Sequence, residues 1–174
     1  QGSTLLQPDL AKTYRSIAES GADWFYQRDF ADSVDKWMRQ NDGVMRREDL
    51  VSYKIKSREP VRTSYRGYEI VGFPPPSSGG VHTAQILNIL EHFNLSSLDP
   101  NGVEWIQIVV EAMKRAFADR AFWLGDPDFV DVPKGLVDKG YAKRLASEIP
   151  PGRSSSVVKH QIPPDADERL FEKH

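Results

Sequence analysis

The sequence predicts an α-rich α+β fold in which helices pack near a β hairpin. Three observations carry this prediction. Several stretches repeat apolar residues at helical spacing. One stretch, Val61 to Phe73, is instead rich in β-branched and aromatic residues and runs into three prolines. The apolar share of 39% over 174 residues is that of an ordinary globular chain, long enough for one domain with a core.

Leu10, Tyr14, Ile17 and Ala18 share a helical face after Pro8-Asp9, and Gly21 stands where a left-handed cap belongs. Trp24, Phe25, Phe30, Val34, Trp37 and Met38 continue the period to a stop at Asn41-Asp42-Gly43, with a break expected near Arg28-Asp29. Glu48-Asp49-Leu50 starts a short helical turn, its carboxylates placed where the helix dipole favours them. From Ser52 the pattern changes. Tyr53, Ile55 and Ser57 alternate with Lys54, Lys56 and Arg58, and the β-rich stretch around Arg66-Gly67 follows, so two strands are expected across this region. Pro74-Pro75-Pro76 ends the second, because prolines supply no ladder donors.

A helix is predicted from Val81 to Phe93, with Ile86, Leu87, Leu90 and Phe93 on one broad face. After the turn Asp99-Pro100-Asn101-Gly102, the longest helix runs from Val103 to Leu124, with Ile106, Val109, Met113, Phe117 and Leu124 on one side. A shorter helix spans Tyr141 to Ile149. Pro150-Pro151-Gly152-Arg153-Ser154-Ser155-Ser156 has linker composition, and an extended or disordered tail is expected over 150–174.

Charge and composition exclude several classes. With 23 basic and 25 acidic residues the formal net charge is -2, which offers no general attraction to phosphate backbones or anionic lipid, so no nucleic-acid partner is expected. No apolar run reaches the roughly 18 residues of a membrane span. The absence of cysteine removes thiolate nucleophiles, thiolate metal sites and disulfides together.

The most distinctive segment is Pro74 to Gly80. Ser77 or Ser78 could accept a backbone N–H at the helix start, and Gly79 and Gly80 permit close backbone approach. An anion cradle is one reading. A structural strand-to-helix turn is the preferred one, since neither the phosphate-loop nor the nucleophile-elbow spacing is present. Asp126, Asp128 and Asp131, with Asp119 before them, suggest a divalent cation only weakly, because the calcium-loop spacing fails and Pro127 and Pro133 suit a rigid turn. Lys114, Arg115 and Arg120 beside Glu111 and Asp119 read as a solvated face with intrahelical pairs. His82, His92, His160 and His174 fall at no metal-ligand spacing and are read as ordinary surface or helix-end histidines. Trp24, Trp37, Trp105 and Trp123 are assigned to core packing.

Taken in order, Leu10-Ala11-Lys12, Ala18-Glu19-Ser20-Gly21 with Phe25-Tyr26, Arg47-Glu48-Asp49-Leu50 with Tyr53, and Tyr65-Arg66-Gly67-Tyr68 form one pattern. It sharpens at Pro74-Pro75-Pro76-Ser77-Ser78-Gly79-Gly80 with Gln85-Ile86-Leu87-Asn88-Ile89-Leu90-Glu91. It continues through Glu111-Ala112, Ala116-Phe117-Ala118-Asp119-Arg120, Leu124-Gly125-Asp126-Pro127-Asp128-Phe129, Val132-Pro133 and Tyr141-Ala142. In this pattern the chain resembles the C-terminal part of the large subunit of γ-glutamyltranspeptidases.

The resemblance implies an N-terminal-nucleophile (Ntn) hydrolase with an αββα sandwich, to which residues 1–149 contribute outer helices. Such a precursor cuts itself into large and small subunits, and the new N-terminal threonine of the small subunit is the nucleophile. This chain begins with Gln1, so it is not expected to supply that group. The cut is expected directly after His174, which makes His174 the expected processing-site residue. No catalytic, substrate-binding or metal residue is carried over onto this chain, and no cofactor is implied. The expected partners are the rest of the large subunit and the small subunit, and a periplasmic or secreted location is suggested. A related cephalosporin acylase, or a non-catalytic helical binding module on the same scaffold, are the alternatives.

Overall fold

In the computed structural model, residues 2–156 and 158–167 are described. They divide into two compact units, residues 1–57 and residues 58–174.

The first unit is helical. Pro8 and Asp9 open α1 (Pro8–Ser20), a proline being tolerated where its missing N–H would have had no partner. Gly21, at φ 69, separates it from α2 (Ala22–Tyr26). The chain breaks at Gln27-Arg28, as expected, and resumes as α3 (Asp29–Gln40) and α4 (Arg47–Val51). Phe25 stacks on Phe30 at 4.2 Å and Tyr26 on Tyr53 at 5.2 Å. Arg47 ties the helices together, its Nε 2.6 Å from Asp32 Oδ1 and its Nη2 donating to the Gln27 carbonyl at 2.7 Å. Only Ala31 is fully buried among the described residues of this unit. Trp37, expected in the core, is 58% exposed.

The second unit holds the main core. Both strands lie inside the β-rich stretch: β1 (Val61–Tyr65) pairs antiparallel with β2 (Tyr68–Gly72), Val61 opposite Gly72. The alternating run at 53–58 forms no strand. It has no neighbour to complete a ladder, and Ile55 is 89% exposed. Arg66 (φ 49) and Gly67 (φ 86) form a two-residue turn with positive φ at both positions, matching the twist of the flanking strands. Arg66 is held there by its N–H to Glu91 Oε1 at 2.9 Å and by its guanidinium to the Phe93 carbonyl at 3.0 Å.

Helix α5 (Gly79–Leu90) runs through the centre of this unit and is buried on most of its circumference. It packs on the hairpin, on α6 (Val103–Trp123) and on α7 (Lys139–Ser147). Asp138 caps α7 by accepting the Tyr141 N–H at 2.8 Å. Val81, Ile89, Ile108, Ala112, Trp123, Leu136, Tyr141, Ala142 and Leu145 form one apolar cluster.

The face that α6 turns to this cluster differs from the apolar face expected. Its buried residues are Ile108, Glu111, Ala112, Arg115, Ala116, Asp119 and Trp123, a single stripe of helical period. Ile106, Met113 and Phe117, assigned to the core from their spacing, are 48%, 40% and 51% exposed. On α5, Gln85 and Asn88 are fully buried and His82 is buried, whereas Ile86 and Leu87 are half-buried.

Candidate functional site

The segment from Pro74 to Gly80 is a strand-to-helix turn with little capping by its serines. Ser78 makes no side-chain cap bond, and Ser77 Oγ accepts the Gly79 N–H at a long 3.4 Å. What the segment requires is the absence of a side chain at Gly80. A Cβ there would lie 2.9 Å from both the Gly72 carbonyl carbon and the Phe73 nitrogen, and a Cβ on Gly72 would lie 2.6 Å from Gly80 Cα. The two glycines let β2 and α5 meet backbone to backbone.

The acidic turn is occupied by an arginine. Arg58 Nη2 lies 2.8 Å from Asp128 Oδ1 and 3.6 Å from Asp126 Oδ1, and the Asp128 N–H donates to Asp126 Oδ1 at 3.0 Å. Asp131 is exposed, and Asp119 is committed elsewhere. No cluster of three His, Cys, Asp or Glu suited to a metal occurs among the described residues.

The reading of Glu111, Arg115 and Asp119 as a solvated face is corrected by their burial: they are 0%, 4% and 1% exposed. Residues at i, i+4 and i+8 share one face, and here it is the inward one. The intrahelical pairs do form, Glu111 with Lys114 and with Arg115, both at 2.8 Å. Glu111 also accepts from the Ser155 N–H at 2.9 Å, the Ser155 hydroxyl at 2.7 Å and the Ser154 hydroxyl at 3.1 Å. These donors outweigh burial, which acts the other way, and hold its pKa well below the usual carboxylate range. Asp119 lacks such a cationic partner in its hydrogen bonds. Its Oδ2 accepts from Gln85 Nε2 at 2.5 Å and Tyr141 Oη at 2.6 Å, and its Oδ1 from the Gln161 N–H at 2.8 Å. Burial raises the pKa of Asp119, and burial together with the adjacent carboxylate raises that of the Tyr141 phenol.

His82 is likewise not a surface residue. It is buried, its ring lies 4.6 Å from Phe117, and Nε2 donates to the Ala116 carbonyl at 3.1 Å. Burial depresses its pKa and favours the neutral ring. His160 stacks on Phe122 at 3.6 Å. Trp123 is fully buried and donates to the Gln161 carbonyl at 2.8 Å. His174 lies outside the described residues.

One cavity of about 530 Å³ has an apolar lining of Pro60, Val61, Pro74, Pro75, Val81 and Val137, among other residues. Its polar lining is Arg58, Glu59, Arg62 and Lys134. The concentrated polar chemistry of the unit is the buried seam of His82, Gln85, Asn88, Glu111, Arg115, Asp119 and Tyr141, closed to solvent and joined to residues 154–161.

Residues 1–169 match the gamma-glutamyltranspeptidase family. The glutathione hydrolase proenzyme of Escherichia coli K12 is 47% identical over 150 residues, covering 86% of this chain and 26% of that protein. The acylase ACY 1 proenzyme of a Pseudomonas strain (SE83) is 46% identical, covering 81% and 25%. Among solved structures, the γ-glutamyltranspeptidase of Helicobacter pylori superposes with a TM-score of 0.84 at 44% identity, over 91% of this chain and 47% of that one. The cephalosporin acylase of Bacillus halodurans gives 0.73 at 32% identity, over 80% and 26%. The chain thus spans about a quarter of the length of the curated relatives it matches. By this match over nearly its whole length, the chain belongs to the γ-glutamyltranspeptidase family.

Proposed function

We propose that the chain is the C-terminal portion of the large subunit of a γ-glutamyltranspeptidase precursor and serves as scaffold. Residues 1–149 supply helices to the outer layer of the Ntn-hydrolase sandwich, and residues 150–174 lead to the processing site behind His174. In self-cleavage the hydroxyl of the following threonine attacks the His174 carbonyl carbon. The C–N bond breaks, an ester C–O bond forms and the hydroxyl proton passes to the new α-amine. Water then hydrolyses the ester to the His174 carboxylate and the free threonine. That threonine takes the γ-glutamyl group of glutathione or a related amide and delivers it to water, an amino acid or a peptide. No catalytic or substrate-binding residue is assigned to this chain, and its partners are the remainder of the large subunit and the small subunit.

The observation that carries the activity is the likeness to glutathione hydrolase proenzymes along the matched length. The scaffold role is supported by the buried, solvent-closed polar seam and by the bare apolar stripe on α6. The test compares the parent protein with the isolated 174-residue chain on a γ-glutamyl anilide. The parent is expected to self-cleave and turn over, and the isolated chain to do neither. Turnover by the isolated chain would refute the scaffold role.

A second reading is favoured by the acylase relatives, whose identity over this region is nearly as high. The parent then prefers a cephalosporin side-chain amide over a γ-glutamyl amide, and the ratio of kcat/KM values for the two donors separates the readings.

A further inference from the structure

The two buried carboxylates of α6 share a task that their burial alone does not explain. Glu111 and Asp119 lie eight residues apart on one face, about 12 Å along the helix axis. Each accepts hydrogen bonds from the Ser-rich segment that follows α7. Glu111 takes the Ser155 N–H and the hydroxyls of Ser154 and Ser155, and Asp119 takes the Gln161 N–H. Ser155 and Gln161 are thus held at two points on α6, a separation that six residues, reaching about 20 Å when extended, can span.

The path stays fixed beyond Gln161. Trp123 Nε1 holds its carbonyl at 2.8 Å, and Arg144 donates to the Ile162 carbonyl at 2.6 Å. Asp165 accepts the N–H groups of Lys134 and Gly135 at 2.9 and 2.8 Å. Burying a carboxylate costs several kcal/mol unless its lone pairs are satisfied, and an apolar residue would fill the same volume without that penalty. Two carboxylates retained on one face, both bonded to a segment of otherwise weak structural preference, therefore point to a requirement on where that segment lies.

We propose that Glu111 and Asp119 are positioning residues for self-cleavage, acting by fixing Ser154, Ser155 and Gln161 of the strap that feeds the scissile bond. This rests on the reading above that the precursor is cut after His174. Asp165 is nine residues from that position. Intramolecular attack requires the reacting atoms within about 3.5 Å, and a 1 Å misplacement costs on the order of 10²-fold. Without the two α6 carboxylates, only the contacts at Gln161, Ile162 and Asp165 set the origin of the short run to His174.

The experiment uses the full parent precursor with Glu111→Gln, Asp119→Asn, Ser155→Ala and Ser155→Thr. Conversion to subunits is followed by mass spectrometry, beside the unfolding midpoint of the uncleaved form and kcat/KM per cleaved molecule. Glu111→Gln and Asp119→Asn are expected to slow conversion tenfold or more while cleaved molecules keep kcat/KM within twofold. Ser155→Ala, a milder change on the strap itself, is expected to slow conversion about threefold with an unchanged midpoint, and Ser155→Thr to restore it. Conversion within twofold of the parent in Ser155→Ala and in whichever carboxylate variants fold overturns the proposal. So does a conversion rate that falls only in step with the midpoint. Failure of the unmodified parent to cleave overturns the underlying reading instead, and the two failures are distinct.

Discussion

At Gly80 the backbone of α5 meets that of β2, and its neighbour Gly79 has no such constraint. A Cβ at 80 runs into the Gly72 carbonyl carbon and the Phe73 nitrogen, which cannot swing aside, whereas at 79 the nearest atom is Ser77 Oγ at 3.7 Å. Gly80→Ala is therefore expected to destabilise by about 1–3 kcal/mol, as overpacking does. Gly79→Ala should be neutral or slightly stabilising, because alanine favours the helix. Unfolding midpoints of the two variants decide this, and equal effects would disprove it. Glu111 makes a second residue-scale prediction. Its folded pKa is depressed by its lysine, serine and arginine donors, so its stabilisation is complete above the ordinary glutamate pKa near 4.5 and is lost as pH falls below it. Asp119, raised by burial, acts with the opposite sign. Comparing stability at pH 7 and pH 3, the Glu111→Gln variant should lose less on acidification than the parent. An unchanged acid limb would show that Glu111 does not contribute to it.

Among the elements, α5 joins its neighbours through polar residues set three apart. His82 reaches α6, Gln85 reaches Asp119, and Asn88 accepts from the Thr63 hydroxyl of β1 at 2.8 Å while donating to the Val137 carbonyl at 2.8 Å. Asn88→Leu should cost about 1–3 kcal/mol, since it leaves two part-buried partners without their hydrogen bonds. Restoring stability with Thr63→Val in the same chain would identify the hydroxyl as the larger part, and a neutral Asn88→Leu would refute the assignment. This seam explains what was legible in the sequence and what was not. Helix limits, the break before Asp29 and the stop at Asp42 (φ 54) followed from local chemistry that acts within a few residues. The inward faces did not follow, because an apolar period cannot reveal that Glu111, Arg115 and Asp119 point inward with Ala112 and Ala116. The signal lay in those alanines: small residues flanking a charged i, i+4, i+8 row allow another helix to approach, and that row is then enclosed. The alternation at 53–58 misled for the complementary reason, as a strand needs a neighbour that local sequence does not supply.

For the molecule as a whole, the apolar period read from α6 is real but faces away from the core. Val103, Ile106, Val110, Met113 and Phe117 follow spacings of three and four along the helix and are 87%, 48%, 42%, 40% and 51% exposed. Such a continuous stripe on a soluble surface marks a contact site. Under the proposed scaffold role, other segments of the precursor cover this stripe. Burying each of these side chains would contribute about 1.5–3 kcal/mol, so a single buried aspartate in the stripe would be expensive. Met113→Asp and Phe117→Asp are therefore expected to act in opposite senses in two settings. In the isolated 174-residue chain they should reduce binding of a hydrophobic dye and raise the soluble fraction, because they break an exposed patch. In the parent precursor they should lower the yield of folded, cleavable protein several-fold, because the proposed scaffold role covers the same positions there. Lys12→Asp, at an exposed position on α1, provides the control for charge alone. A parent that folds and cleaves normally with aspartate at both 113 and 117 would mean that the stripe stays in water in the assembled protein, and the layer role assigned to α6 would fail.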